Sequence, residues 1–512
     1  MPTGNASEIS TFKGQERRLR SERIGPMALL LSTLAASAPL LGVVVLPNTF
    51  AVMGIVGLPL LFVILGVLLA LFSIGYAEMS RHVHNAGAFT AYVARGLGGT
   101  TGAGASVVAL VAYSAVQFAV FGIFGFEVSG LFAEYLGITV AWWIPALVGV
   151  ALVGILGWLK IDLNAKVLGV LMLIEVVMVL VFDASTILDP AEQGLSLRSF
   201  SPEALTGTGL GTALSFCLAT FIGFEQSPVY AEETRRPQVV VARVTLVAAV
   251  CVAVFFAVSS WAVSVAVGPS EIVSASREQG PGLVFSLSEA RLGPVFTDAL
   301  HLFYITGMFA CLLSFHNVVA RYVFSMGREG LLPAVFGRTN RTSGAPAYGS
   351  LLQTAVSLIV VAAFAISDDR PAGDPTVPVL QLFTWMANLG ALGLTLLLAI
   401  TSVAVIAFFV RHGAARSQIW RIVSSAISGL ALAVIFVYAV KDIDVLLGTG
   451  SDSALIWILP GIIGAVAVLG VVYGLVLRAT RPEVYARIGL GNEAFQLEKS
   501  AAASTADSTT SA

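Results

Sequence analysis

Hydrophobic positions in this chain run on for about 20 residues at a time, with no polar face, and charged or Gly/Pro-rich connections separate the runs. A helix of that length crosses the hydrocarbon core of a bilayer. Twelve spans are predicted, at residues 27–46, 54–79, 104–131, 140–159, 164–182, 209–230, 240–267, 295–326, 349–366, 378–410, 417–440 and 454–477. All are expected to be helices, because lipid offers an unpaired backbone group no partner and the alternation of a membrane β-barrel is absent.

Composition excludes a soluble enzyme: only 11% of the 512 residues are charged and 57% are hydrophobic, too little polar material to coat globular bodies of this mass. A net charge of -2 supplies no basic field for nucleic acid. Cys217, Cys251 and Cys311 lie inside apolar runs without metal or disulfide spacing and read as packing residues. The first run is too long for a signal-peptide core and is expected to stay as the first span. Twelve spans put both tails on one side, and that side holds 23 of the 28 Lys and Arg residues. The other side holds Arg198, Arg277, Arg291, Arg370 and Lys441. By the positive-inside rule the protein is expected to cross the cell membrane with both termini cytoplasmic. The small, polar segment after Gly489 is expected to be disordered. The connection from Gly268 to Pro294, with GLVFSLSEA at helical spacing, is expected to form a short outer helix.

Three carboxyls, Glu127, Glu175 and Glu225, sit well inside apolar sequence. Such a group usually faces the bundle interior and marks an ion or substrate path, although packing with satisfied hydrogen bonds is the plainer alternative. In the sixth span, GTALSFCLATFIGFEQSPVYAEETRRP, Pro228 removes a backbone donor three residues after Glu225, so a break is predicted near Phe221 to Ser227. The first span, MALLLSTLAASAPLLGVVVLP, gathers Ala35, Ala36, Ser37 and Ala38, then Pro39 and Gly42, near its middle. Interruptions at corresponding places in two halves point to a transporter's midplane binding site, whereas small residues alone would mean close helix packing.

The stretches FIGFEQSPVYAEETRRP (Phe221 to Pro237), RYVFSMGREGLLP (Arg321 to Pro333) and NAGAFTAYVARGLG (Asn85 to Gly98) resemble the amino acid/polyamine/organocation superfamily of secondary transporters. The resemblance covers nearly the whole chain. It implies an all-α integral membrane protein with twelve transmembrane helices. Broken helices one and six sit in a five-plus-five inverted-repeat (LeuT-like) core, with two peripheral helices. The corresponding regions are a tail at 1–26, the core at 27–410, the peripheral pair at 411–477 and a tail at 478–512. It also implies that the amine of a substrate meets carbonyls at Ala36, Ser37, Ala38, Phe221, Ile222, Gly223 and Phe224, and that its carboxylate meets N–H groups of the first helix.

Two departures from the family pattern bear on function. Pro39 has no N–H, so carboxylate binding would fall to Leu40, Leu41 and Gly42, where the helix dipole and free donors favour an anion. Matching Lys166 and Val167 to the family's basic-Val pair places Glu175 where many members have a lysine. Glu175 then either carries the coupling proton or binds the positive end of a cationic substrate; Glu225 is the second proton candidate.

Tyr113 and Gln117, four apart on one helix face, either contact substrate or hydrogen-bond between helices. Ser314 is a weak sodium candidate, and Trp385 and Asn388 either position the ligand or pack. His301 and His316 lack carboxylates at metal spacing, so no metal or cofactor is expected. The expected function is proton-coupled uptake of an amino acid by alternating access, with sodium the second choice of ion. A polyamine or other amine importer or exchanger is the alternative, and a non-transporting sensor the alternative from another class.

The charge asymmetry generates a direct test. Single cysteines placed at Asp189 or Asp369 should react with an impermeant label on intact cells, and cysteines at Arg236 or Arg338 should be protected. The reverse pattern would refute the topology.

Overall fold

A computed structural model describes residue 19 and residues 24–83, 85–158, 161–206, 210–340, 344–412 and 419–491, with backbone only at 161–168. Every predicted apolar stretch is helical over most of its length. Among the described residues ten helices are long and apolar enough to cross a membrane. The fourth span, Trp143–Trp158, is shorter, and the sixth is broken after an α-helix at Leu210–Thr220, so neither meets that measure. The 492–512 tail and the basic residues Lys13, Arg17, Arg18, Arg20 and Arg23 lie outside the described residues, and so does the side chain of Lys166.

Spans that stand five apart in sequence pack together. The two halves of the first span, Pro26–Ala36 and Pro39–Met53, meet the sixth; the second, Leu58–His82, lies along the seventh, Pro237–Val267; the third, Gly99–Leu136, lies along the eighth, Pro294–Glu329; and the fourth lies against the ninth, Ala347–Ile366. The fifth, Ile161–Leu188, lies against the first. Four of the five pairs of spans five apart thus pack together, in keeping with two five-span halves. The tenth span, Thr384–Arg411, continues a π-helical stretch at Thr376–Phe383 and contacts the third; the eleventh, Ile419–Lys441, and twelfth, Leu455–Thr480, pack outside on the tenth and third.

Lipid tails are as apolar as leucine, so small residues, not hydrophobicity, decide where such helices touch. A Cβ on Gly66 would lie 2.3 Å from the Ala253 Cβ, and one on Gly96 2.2 Å from the Ala404 carbonyl oxygen. A buried polar seam joins spans three, eight and nine. There Gln353 donates to Gln117 at 2.7 Å, Gln117 donates to the Leu312 carbonyl at 3.2 Å, and the His316 ring meets the Ser350 hydroxyl at 2.7 Å.

Several boundaries differ from the expectation, each for a local reason. The first span runs past Pro47 to Met53 and stops where Gly54 turns left-handed, its N–H on the Phe50 carbonyl. NAGAFTAYVARGLG contains a separate helix, Ala88–Leu97, buried on most of its faces. The 268–294 connection forms two helices, Ile272–Gln279 and Gly282–Leu292.

At the end of the bundle that carries both tails, buried ion pairs cross from the segment after the sixth span to the eighth. Arg321 meets Glu233 at 2.6 Å with both side chains at most 1% exposed, and Arg328 forks onto Glu232 at 2.5 and 2.8 Å. Ile24 pairs with this segment through Glu233 and Arg235 backbone groups. Beside them the Glu329 carboxylate accepts the Asn85 amide at 2.6 Å and the N–H groups of Gly489 and Gly491 at 2.9 and 3.1 Å.

Because the would-be Cβ of Gly96 meets backbone that cannot move aside, Gly96→Leu should destabilise the folded protein by about 1–3 kcal/mol. Thermal unfolding in detergent should show a clearly lowered Tm, and an unchanged Tm would mean that this helix contact is looser than described.

Candidate functional site

The first span breaks at Ala38, which the ring of Pro39 disfavours in the α region. Ala38 has φ 41° and ψ 70°, in the left-handed region, which costs a non-glycine residue about 1–2 kcal/mol. Pro39 follows at the first position of the new helix, where its missing N–H is no loss. The new helix exposes first-turn donors with no carbonyl four residues back. One of them is taken: the Leu40 N–H donates to the Glu175 carboxylate at 2.6 Å. Gly307, on the eighth span, leaves the room for this, since a Cβ there would lie 2.6 Å from Glu175 Oε2.

The sixth span breaks at Gly223, whose φ of 120° only glycine adopts readily. The α-helix ends at Thr220, a turn follows, and a 3-10 stretch at Phe224–Tyr230 contains Pro228. No α-helix resumes in this span, a correction to the helix expected through Tyr230: Pro228 removes a donor, and Glu225 offers the backbone another partner. The Glu225 side chain turns back on its own break. It accepts the Gly223 N–H at 2.9 Å and the Tyr113 hydroxyl at 2.8 Å, while Tyr76 donates to the Glu225 carbonyl at 3.1 Å.

The breaks face each other, since a Cβ on Gly223 would lie 2.6 Å from that of Ala36. Beside them opens a cavity of about 160 Å³. Of the residues expected to bind substrate, Ala36, Ser37, Ala38, Leu41, Gly42 and Ile222 line it. Phe221 and Phe224 line a smaller pocket next to it, with Glu225. Leu40 turns its N–H to Glu175, and Gly223 sits where the breaks touch. Tyr113 and Gln117 lie outside both linings, in the interhelical hydrogen bonds described above. Gly42 faces the Phe256 ring, 2.3 Å from its would-be Cβ, so its smallness serves helix packing as well as the cavity.

Residues that sequence reasoning missed supply much of the lining: Val116 and Val120 on the third span, Ser215, Phe216 and Thr220 on the sixth, Cys311 and Phe315 on the eighth, and Phe383 and Thr384 on the tenth. Only Asn388, already a candidate, carried a signal. No ionisable carboxylate or base lines the cavity among the described residues. Glu127 instead borders a separate space of about 110 Å³ with Glu134 and His301. Ser314 donates to the Ser32 carbonyl at 3.2 Å, and Trp385 stacks edge-on against Phe364. Another buried carboxyl, Asp183, at the end of the predicted fifth span, accepts the Ser259 hydroxyl at 2.7 Å.

Comparison with solved structures agrees with this architecture. A manganese transporter of Eremococcus coleocola, in complex with an aromatic bis-isothiourea substituted compound, superposes with a TM-score of 0.56 at 13% identity, covering 92% of this chain and 95% of that one. Two single-residue mutants of the same transporter give 0.53 at 11% identity over the same shares. The likeness shows a shared all-helical membrane fold. The sequence profile described as amino acid permease matches residues 28–476, and the chain belongs to that family. No curated protein sequence matches it significantly.

The geometry assigns Tyr113 to holding the sixth-span break through Glu225. Tyr113→Phe removes one hydrogen bond to a carboxyl group, a loss of about 1.5–3 kcal/mol where that bond fixes the break. Transport should fall about tenfold or more with surface expression retained. Wild-type flux in this variant would show that the break holds without it.

Proposed function

We propose that this permease is a secondary transporter that moves an amino acid or related organic amine across the cytoplasmic membrane by alternating access around spans one and six. The observation that carries the reading is the pair of facing helix breaks with a cavity beside them, at membrane depth, where irregular backbone persists only if it lines a cavity or is buried in protein. On this reading the chain crosses the membrane twelve times with both tails cytoplasmic. Residues 27–410 form the transport core, 411–477 a peripheral pair, and 1–26 and 478–512 the tails. A non-transporting sensor is the rival from another class; saturable flux into proteoliposomes separates the two. A metal cargo finds less support, since among the described residues no three His, Cys, Asp or Glu side chains are grouped to hold an ion.

Uptake is coupled to a proton, and Glu175 is the preferred carrier. As a carboxylate it caps the positive end of the Pro39–Met53 half-helix through Leu40. Protonation removes that charge and loosens the cap, which couples proton occupancy to the hinge of the first span. Glu225 takes second place, because its carboxyl is already engaged by Gly223 and Tyr113.

Glu175→Gln imitates the protonated acid. It should preserve exchange of substrate across the membrane and eliminate accumulation driven by a pH gradient. Accumulation in proteoliposomes that persists with unaltered pH dependence would rule out Glu175 as the carrier.

A further inference from the structure

The polar side chains of the cavity share one property. Each spends its hydrogens on a helix carbonyl. Ser37 donates to Leu34 at 2.7 Å, Ser215 to Gly211 at 3.0 Å, Thr220 to Cys217 at 2.7 Å and Thr384 to Val379 at 2.9 Å. The Cys311 thiol donates to the Ala36 carbonyl at 3.3 Å, and the Asn388 amide donates to Thr384 and Leu446 at 2.8 and 3.3 Å. What these groups leave for a ligand is lone pairs. A hydroxyl oxygen keeps acceptor capacity after donating, and so does the Asn388 carbonyl oxygen.

Backbone ends at the two breaks have the same bias. The positive, donor-bearing ends are occupied by the chain's own carboxylates, Glu175 on the Leu40 N–H and Glu225 on the Gly223 N–H. The negative ends of the preceding half-helices, at Ala36 and Thr220, reach the cavity wall. There, among the described residues, no hydrogen bond occupies the Thr220 or Ile222 carbonyl. Helix C-termini favour cations, and a buried carbonyl without a donor is a cost that an incoming N–H relieves. Leu41 keeps a first-turn N–H at the wall, one donor where a carboxylate offers two acceptor oxygens. Among the described residues no Lys, Arg or His side chain lines the cavity to supply the rest.

We propose that this cavity selects an organic ammonium ion with an apolar tail and no carboxylate over the amino acid that carries the same side chain. The ammonium sits among the hydroxyl and carbonyl oxygens of spans one, six and ten. The tail fills the space walled by Val116, Val120, Phe216 and Phe315. An amino acid would add a carboxylate that must be desolvated against one N–H, and burying an ion without partners costs several kcal/mol. Glu175 contributes its charge from behind the first-span break, beside Gly307 and one helical turn from Cys311. This rests on the transporter reading above and narrows its substrate class.

The test compares pairs that share a side chain: isopentylamine with leucine, and phenethylamine with phenylalanine. Saturable uptake into proteoliposomes and ligand-induced thermal stabilisation of the purified protein are read for each. In both pairs the amine should half-saturate at a concentration at least about tenfold lower, the effect of a single charge-assisted hydrogen bond. In Glu175→Gln, that ratio should shrink about tenfold as the charge behind the break is lost. Equal or tighter engagement of the amino acids would overturn the assignment while leaving the protein a transporter. Saturable uptake and stabilisation by neither class would overturn the transporter reading together with it. An unchanged ratio in the Glu175 variant would remove its charge from selection and refute the role given to it here.

Discussion

A backbone group set free inside a bilayer has no water to turn to, and this molecule frees such groups twice. At Ser37–Ala38 and again at Phe221–Gly223 the chain leaves the α-helix with apolar spans on every side. The rest of the site follows from how those groups are satisfied. Glu175 and Glu225 are buried in a place hostile to carboxylates because each supplies the acceptor that a stranded N–H lacks. Gly307 is small so that Glu175 fits, and Tyr113 holds the other carboxyl oxygen of Glu225 in place. Carbonyls left over at the opposite ends face the cavity. Capping and binding are thus two uses of one local defect.

The positions of the spans were legible in the sequence because a run of about 20 apolar residues has no other stable home. Both breaks were legible too, since Pro39, Pro228 and Gly223 act through their own covalent structure, independent of what surrounds them. Legibility failed where a residue's role is set by a partner far along the chain. Glu175 stood out as a charge in the wrong solvent, but nothing near it in sequence shows that its acceptor faces Leu40, 135 residues away. For Tyr113 the sequence leaves ligand contact and interhelical hydrogen bonding open, and nothing near it shows that its hydroxyl meets Glu225. Apart from Cys311 and Asn388, the cavity walls on spans three, eight and ten are Val, Phe, Ala and Thr, indistinguishable by type from lipid-facing neighbours. The helix Ala88–Leu97 escaped for a related reason: it is too short to span, and it is buried by tertiary contacts.

Spans three, eight and nine form a body stiffened by amide and imidazole hydrogen bonds through Gln117, Gln353, His316 and Ser350. Spans one and six, by contrast, meet each other at their breaks through Gly223 and Ala36, where Glu175 and Tyr113 reach in from neighbouring spans. The polar seam thus lies in spans three, eight and nine and the helix breaks lie in spans one and six. The ion pairs from Arg321 and Arg328 to Glu233 and Glu232 cross from the eighth span to the segment after the sixth at one end. Their burial makes them costly to open singly, because removing one partner leaves a buried charge uncompensated.

The Glu329 carboxylate, buried at the end of the eighth span, takes two of its hydrogen bonds from Gly489 and Gly491. A ribosome makes these glycines 160 and 162 residues after the acid they satisfy. Until then, among the described residues, its hydrogen bonds come from Asn85 and Ser325, with the Arg328 charge nearby. The buried carboxylate of the eighth span thus gains its backbone donors only after the helices Ile419–Lys441 and Leu455–Thr480 between them have been made.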